Sequence, residues 1–157
     1  MANAKILAGK KILIVDDEPD VLEALEETLD MCDIDTSTEY EKAKQLLESK
    51  NYDIAVLDIM GVNGYGLLAV ANRKGIPAVM LTAHALSADN FAKSMHEGAC
   101  AYLPKDRLFE IDVFLTDVLE DGGKNRGLLG KWFDRLKGYY DNKFGPGWID
   151  EYKGSWH

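Results

Sequence analysis

Short apolar runs alternate with amphipathic stretches along most of the chain. The apolar runs lie at residues 11–16, 34–37, 53–58, 76–81 and 101–103, and apolar positions at helical spacing follow them at 19–31, 39–50, 64–73, 87–97 and 107–120. Strands separated by helices are typical of parallel pairing with right-handed crossovers. The pattern therefore predicts an α/β fold, a three-layer (βα)5 sandwich built on one parallel sheet.

Polar residues stand where the apolar runs end. Asp16 and Asp17 close the first run, Asp58 closes another, and Thr82 and Lys105 follow two more. Ligands bind at the carboxyl edge of an open parallel sheet, so one pocket that contains all five residues is predicted. Taken alone, Asp16 and Asp17 also suit the start of a helix, where acids are favourable. Their combination with the other three residues favours a functional site.

The chemistry of such a pocket follows from its charges. The carboxylates of Asp16, Asp17 and Asp58 repel one another unless a cation is present. Magnesium prefers oxygen ligands and leaves coordination positions for a phosphoryl oxygen. An aspartate can then act as the nucleophile toward a phosphoryl group, while the Thr82 hydroxyl and the Lys105 ammonium neutralise charge on the transferred oxygens.

Residues 128–140 form a separate amphipathic pattern after the sequence Asp121-Gly122-Gly123. The apolar positions that share one helical face are Leu128, Leu129, Trp132, Phe133, Leu136, Tyr139 and Tyr140. Such a face is costly to leave in water. We expect Trp132, Phe133 and Leu136 to cover a small stripe at Phe109 and Val113, in the same chain or in a symmetry mate. A membrane surface or a different protein are the alternatives. The segment from Phe144 onward is turn-rich and is not expected to continue this helix.

Composition narrows the classes of function. Residues 1–121 contain 23 acidic and 11 basic residues, a net charge of −12, whereas residues 122–157 carry +3. The acidic body disfavours nucleic-acid binding, and thirty-six C-terminal residues with one strong helix do not make a helix-turn-helix domain. No apolar stretch approaches a membrane span, and the N-terminus lacks a secretory signal, so a cytoplasmic location is expected. Cys32 and Cys100 are interpreted as buried thiols.

Four segments together resemble the receiver domain of two-component response regulators, the CheY-like family. They are ILIVDDEPD (12–20), YDIAVLDIMGVNGYG (52–66), IPAVMLTAH (76–84) and GACAYLPK (98–105), in the family's order. The resemblance implies a flavodoxin-like, doubly wound sheet with strand order 2-1-3-4-5. It assigns residues 10–121 to the receiver domain, with a leader at 1–9 and a helical, turn-rich extension at 122–157.

The resemblance also implies a role for each acidic residue of the pocket. Asp58 would be the phosphoacceptor. Asp17 would bind Mg²⁺ directly with the assistance of Asp16, and Asp58 and the Met60 backbone carbonyl would complete the protein ligands.

Further roles are implied for residues at the following strand ends. Thr82 and Lys105 would contact the phosphoryl group. Tyr102 occupies the family's aromatic switch position, which turns inward together with the threonine after phosphorylation, although a half-buried strand tyrosine needs no such role. Met60 and His84 lie where the family tunes the access of water to the phosphoryl group.

Three positions depart from the family's usual pattern. Val62 stands where proline is frequent, and Lys105 is preceded by Pro104 and followed by Asp106 rather than by proline. The interval from Asp58 to Thr82 is shorter than usual. None of these departures removes a reacting group. Because no proline follows Lys105, this lysine is expected to be positioned by a different loop conformation, and the short interval predicts a truncated third helix or entry loop.

The function implied is that of a single-domain response regulator. It would accept a phosphoryl group from a sensor histidine kinase or a phosphotransfer protein and signal by protein contact. A homodimer through the fourth and fifth helices or the C-terminal helix is a possible output, and no catalysis beyond self-phosphotransfer and auto-dephosphorylation is expected. The alternative is an interaction scaffold of the same fold that works without phosphorylation. A flavodoxin-like binder or an aspartyl-phosphate phosphatase is disfavoured by Thr82 and Lys105 and by the lack of a substrate-cap segment.

Overall fold

One parallel sheet forms the centre of the molecule. The structure, a computed structural model, describes residues 2–124 and 127–154. The strands are β1 (Lys11–Val15), β2 (Asp33–Ser37), β3 (Ile54–Asp58), β4 (Ala78–Thr82) and β5 (Ala101–Pro104). Each neighbouring pair is parallel, and the order is β2-β1-β3-β4-β5. The predicted fold class and strand order are therefore confirmed.

Helices connect and flank the strands. They are α1 (Ala2–Leu7), α2 (Pro19–Thr28), α3 (Tyr40–Ser49), α4 (Gly64–Arg73), α5 (Ala88–His96), α6 (Ile111–Glu120), α7 (Lys131–Phe144) and α8 (Trp148–Gly154), with 3-10 helices at Lys105–Glu110 and Gly127–Leu129. The sequence pattern did not predict α1 or α8. Helix α1 is attached by Leu7, which is fully buried and whose carbonyl accepts a hydrogen bond from the half-buried Cys32 thiol at 3.4 Å. Cys100 is a buried thiol.

The central strands are apolar on both faces because helices cover both sides of the sheet. All residues of β3 and β4 are buried, including the terminal Asp58 and Thr82. Sheets covered on both faces favour such continuous apolar runs. Helix α4 begins so close to β3 that a Cβ at Gly64 would overlap the backbone carbonyl of Asp58. The end of β3 is thus fixed between the sheet and the start of α4.

The C-terminal helices pack on the same chain, against α5, β5 and α6. Their centre is Phe91 of α5, which is fully buried. The ring centres within 5.0 to 6.4 Å of its ring are those of Tyr102, Trp132, Phe133, Tyr140, Phe144, Trp148 and Tyr152. We call Phe91 and these residues the aromatic cluster. Edge-to-face and tilted ring pairs of this kind add to the free energy gained by burial.

Ion pairs attach α7 to α6 outside the aromatic cluster. Arg135 donates two hydrogen bonds to the buried carboxylate of Asp117, from Nε at 2.6 Å and from Nη2 at 3.2 Å. Lys131 lies 3.8 Å from Glu120. The two-bond arrangement fixes the orientation of the arginine as well as its position. Helix α7 is therefore held both by ring packing and by a directed ion pair.

The prediction that α7 covers Phe109 is wrong. Phe109 is 72% exposed and Val113 is half-buried, whereas Trp132, Phe133 and Leu136 are buried against the core. The predicted stripe assumed one continuous helix from residue 107. Instead, Phe109 lies in a 3-10 helix and α6 begins only at Ile111, so the spacing that joins Phe109 to Val113 does not apply.

Candidate functional site

The residues predicted from the strand ends meet at one edge of the sheet. Asp16 follows β1, Asp58 ends β3, Thr82 ends β4, and Lys105 follows β5. The register pairs Thr82 with Pro104 and Asp58 with Leu81, so these ends lie side by side. The Lys105 ammonium joins the first and third strands directly, since it lies 2.8 Å from Asp16 Oδ2 and 3.2 Å from Asp58 Oδ1.

Lys105 is held by three carboxylates. In addition to Asp16 and Asp58, its ammonium donates a hydrogen bond to Glu18 Oε1 at 3.0 Å, and only 9% of its side chain is exposed. Burial alone lowers the pKa of Lys105, but hydrogen bonds to Asp16 and Glu18 outweigh burial and raise the pKa above its usual range. The lysine is therefore a permanent positive charge at the pocket. Lys105 opens the 3-10 helix that follows Pro104, and the expectation that this loop departs from the family's usual conformation stays a prediction.

Asp58 and Asp16 are more basic than ordinary aspartates. Burial, followed by the charge of Asp16, raises the pKa of Asp58 to about 6, although Lys105 opposes the shift. Burial likewise raises the pKa of Asp16, again against the effect of Lys105. One ammonium thus does not fully compensate two buried carboxylates. A further cation would lower the energy of the ionised pair.

Asp16 also belongs to an acidic cluster that offers oxygen ligands for a divalent cation. Carboxylate oxygens of Asp16, Asp17 and Glu18 lie within 4.8 Å of one another. Hard oxygen donors on a partly exposed edge fit Mg²⁺, which keeps several waters and needs few protein carboxylates. The residues present therefore fit the metal. Glu18 was not selected by the sequence analysis, although the run Asp-Asp-Glu was the signal that could have found it.

The loop after β3 closes on Asp17. Gly61 has a φ of 86°, and a Cβ there would lie 2.5 to 2.8 Å from the carboxylate atoms of Asp17. Met60, the residue before it, is 54% exposed. The loop that contains Met60 is thus placed next to the exposed Asp17, as expected if both contribute to one cation site.

We expect Gly61→Ala to weaken Mg²⁺ binding about tenfold, because the added methyl group displaces Asp17 and such supporting changes cost about 10-fold to 100-fold in metal affinity. Isothermal titration calorimetry with MgCl₂ measures the Mg²⁺ affinity. Gly75→Ala is the matched control, since Gly75 has a φ of 73° and open space around it. Equal Mg²⁺ affinities in the two variants would contradict the role of the Gly61 contact.

Thr82 and Tyr102 meet at the loop that follows β4. The Thr82 hydroxyl accepts a hydrogen bond from the Ala85 backbone N at 3.0 Å, and only 1% of the residue is exposed. The Tyr102 hydroxyl donates to the Ala85 carbonyl at 2.7 Å and accepts from the Ser87 backbone N at 3.1 Å. Tyr102 is fully buried, and its burial raises the pKa of the phenol. The ring of the predicted switch residue is therefore directed inward in this structure.

His84 lies on the exposed side of the same loop. A hydrogen bond to Lys105 lowers the pKa of Glu18, and the charge of His84 contributes to that lowering in a minor way. His84 is thus close enough to Glu18 to affect the pKa of that carboxyl group. Its predicted modulatory role stays a prediction.

The fold and the pocket define the receiver class, and comparison with known families agrees. Residues 12–117 match the sequence model of the response regulator receiver domain, so the chain belongs to that family. It is therefore a receiver domain of two-component systems.

Among the described residues, no helix has the length and apolarity needed to cross a membrane.

Proteins with sequences similar to this chain include plant and bacterial response regulators. The chain is 34% identical over 107 residues to the two-component response regulator ARR18 of Arabidopsis thaliana, covering 64% of this chain and 17% of the relative. It is 40% identical over 111 residues to the heme response regulator HssR of Staphylococcus aureus, covering 68% of this chain and 48% of the relative. The matched region thus spans less than half the length of these relatives.

Solved structures share the fold. The receiver domain of the Francisella response regulator 1452 has a TM-score of 0.64 and 24% identity, covering 74% of this chain and all of that chain. A CheY-like receiver domain protein from Methanospirillum hungatei has a TM-score of 0.61 and 26% identity, covering 73% of this chain and 99% of that chain.

Proposed function

We propose that the chain accepts a phosphoryl group on Asp58 from a histidine kinase or a phosphotransfer protein. The observation that supports this most is the contact of buried Asp58 with Lys105 beside the acidic cluster. An Asp58 Oδ forms the new bond to phosphorus while the bond from phosphorus to the donor's histidine nitrogen breaks. The electron pair of that bond stays on the imidazole.

The other residues neutralise the transferred charge. Lys105 exchanges part of its contact with Asp58 for a phosphoryl oxygen, and the Thr82 hydroxyl donates to another after its hydrogen bond with Ala85 rearranges. Asp16, Asp17, Asp58 and the Met60 carbonyl would hold Mg²⁺. The metal when bound supplies charge compensation for the phosphoryl oxygens.

The signal is passed on by protein contact. The described part of the chain contains the receiver fold and two C-terminal helices that pack on it, and these surfaces are what a partner or a second copy would meet. No reaction other than self-phosphotransfer and auto-dephosphorylation is proposed.

Incubation with acetyl phosphate and Mg²⁺ tests the proposed function. The wild-type chain is expected to gain the mass of one acid-labile phosphoryl group, and Asp58→Asn is expected to gain none, as measured by intact mass spectrometry. Asp53→Asn is the matched control, because Asp53 lies before β3 and accepts a hydrogen bond from the Lys11 backbone N at 2.8 Å. A wild-type chain that stays unmodified would reject the mechanism and favour the phosphorylation-independent scaffold.

A further inference from the structure

Two consecutive tyrosines of α7 contact the chain on either side of Lys105. The Tyr139 hydroxyl donates a hydrogen bond to Asp106 Oδ2 at 2.8 Å. The Tyr140 hydroxyl donates a hydrogen bond to the backbone carbonyl of Tyr102. The contacts therefore lie one residue after and three residues before Lys105.

Burial and ring packing orient the Tyr139 and Tyr140 hydroxyl groups toward these two contacts. Tyr140 is fully buried, and its ring centre lies 6.0 Å from that of Tyr102. The Tyr139 ring meets the Tyr140 ring edge-on at 5.5 Å. Burial, and next the hydrogen bond to Asp106, raise the pKa of Tyr139 to about 12, so its hydroxyl keeps the proton that it donates.

The segment that carries Lys105 has little regular structure to hold it. After Pro104 it forms a 3-10 helix in which Arg107 has non-helical angles of φ −115° and ψ 26°. Short 3-10 helices have poorer hydrogen-bond geometry than α-helices. The hydrogen bonds from Tyr139 and Tyr140 therefore restrict the segment on both sides of Lys105, which the backbone hydrogen bonds of the 3-10 helix hold only weakly.

Helix α7 also has docking contacts that do not involve these hydroxyl groups. Arg135 pairs with Asp117, and Trp132 and Phe133 are buried in the aromatic cluster. Loss of one hydroxyl thus removes the contact near Lys105 and leaves the ring packing in place. This separates a positioning role from a role in docking the helix.

We propose that Tyr139 and Tyr140 are positioning residues for the phosphoacceptor site, because they hold the Lys105 segment so that its ammonium meets Asp16 and Asp58. The part that concerns phosphoryl binding rests on the proposed function. The part that concerns Lys105 does not, since the ion pairs exist without a phosphoryl group.

The position of Lys105 is read from its reactivity. The full-length chain, free of metal, is treated with acetic anhydride, and acetylation of Lys105 is compared by peptide mass spectrometry with that of the exposed Lys42. Tyr139→Phe and Tyr140→Phe are each expected to raise the relative rate at Lys105 about threefold to tenfold, the range that loss of one hydrogen bond allows. Asp106→Ala removes the same Tyr139–Asp106 hydrogen bond by changing the exposed acceptor. It therefore tests this contact even if substitution of the tyrosine impairs folding.

Tyr52→Phe is the matched control. The Tyr52 hydroxyl also donates to a carboxylate, Asp35 Oδ2, at 2.7 Å. Tyr52, however, lies before β3, at the amino edge of the sheet, opposite the carboxyl edge at which Lys105 lies. It is expected to leave the rate at Lys105 unchanged. Unchanged Lys105 reactivity in all three test variants, or an equal rise in Tyr52→Phe, overturns the positioning role.

Affinity for beryllofluoride at saturating Mg²⁺ tests the consequence for the site. The Tyr139→Phe and Tyr140→Phe variants are expected to bind it about threefold to tenfold more weakly than wild type, and Tyr52→Phe equally well. A role limited to stability would lower only the unfolding midpoint, so unchanged affinity in folded variants overturns the coupling to phosphoryl binding. If wild type itself does not bind beryllofluoride, the proposed function fails, and the Lys105 reactivity still decides the positioning role.

Discussion

Phe91→Ala is expected to lower the free energy of unfolding by about 3–5 kcal/mol, the usual cost of removing a buried aromatic ring. Phe91 is fully buried and lies at the centre of the aromatic cluster. Its removal leaves a cavity between α5 and the C-terminal helices, and the surrounding rings can fill that cavity only in part. The loss of packing falls on the docking of α7 and α8 as well as on the core.

Two measurements check this expectation. Urea denaturation gives the free energy of unfolding, and limited proteolysis reports whether the C-terminal helices remain docked. Phe109→Ala is the matched control, since the same ring is removed from a residue that is 72% exposed, and it should change stability by no more than about 0.5 kcal/mol. If Phe109→Ala were the more destabilising and protease-sensitive of the two, α7 and α8 would not dock on the surface around Phe91.

Asp58→Asn is expected to stabilise the metal-free chain at neutral pH. The pKa of Asp58 rises from its ordinary value of 3.8 to about 6 in the folded chain, first by burial and then by the charge of Asp16. The folded state therefore binds the proton more tightly than the unfolded state. Wild-type stability falls as pH rises from about 4 to about 6, and above that range the full penalty of about 1–3 kcal/mol is present.

Denaturation of wild type and Asp58→Asn in EDTA, at about pH 4 and about pH 7.5, tests this sign. The asparagine variant should exceed wild type at the higher pH, and the difference should shrink at the lower pH, where Asp58 is largely protonated in the folded state. Added Mg²⁺ should raise wild-type stability by mass action and narrow the gap at neutral pH. A variant less stable than wild type at about pH 7.5 without metal would show that ionised Asp58 is not destabilising.

The sequence was most informative about the sheet and its carboxyl edge. Continuous apolar runs such as residues 54–57 predict buried strands, and parallel pairing then brings Asp58, Thr82 and Lys105 to one edge whatever the loops do. The structure brings these residues together for that reason. The loops lie outside this argument, since their conformations depend on local contacts rather than on periodicity.

Features set by contacts between distant residues were not predictable in the same way. Periodicity identified an amphipathic C-terminal helix but not its docking surface, because Phe91 lies in a different strand–helix unit and its partners are distant in sequence. The role of Glu18 depends on the reach of Lys105 across the pocket. The requirement for glycine at residue 61 depends on how closely Asp17 approaches it.

The aromatic cluster also gives the chain a spectroscopic reporter of its own. Trp132 and Trp148 are 1% and 3% exposed, and both indole rings lie near Phe91, which in turn contacts Tyr102. Release of α7 and α8 would transfer both indoles into water and move their fluorescence emission to longer wavelengths. The docking of these helices can therefore be followed in real time in the unlabelled protein.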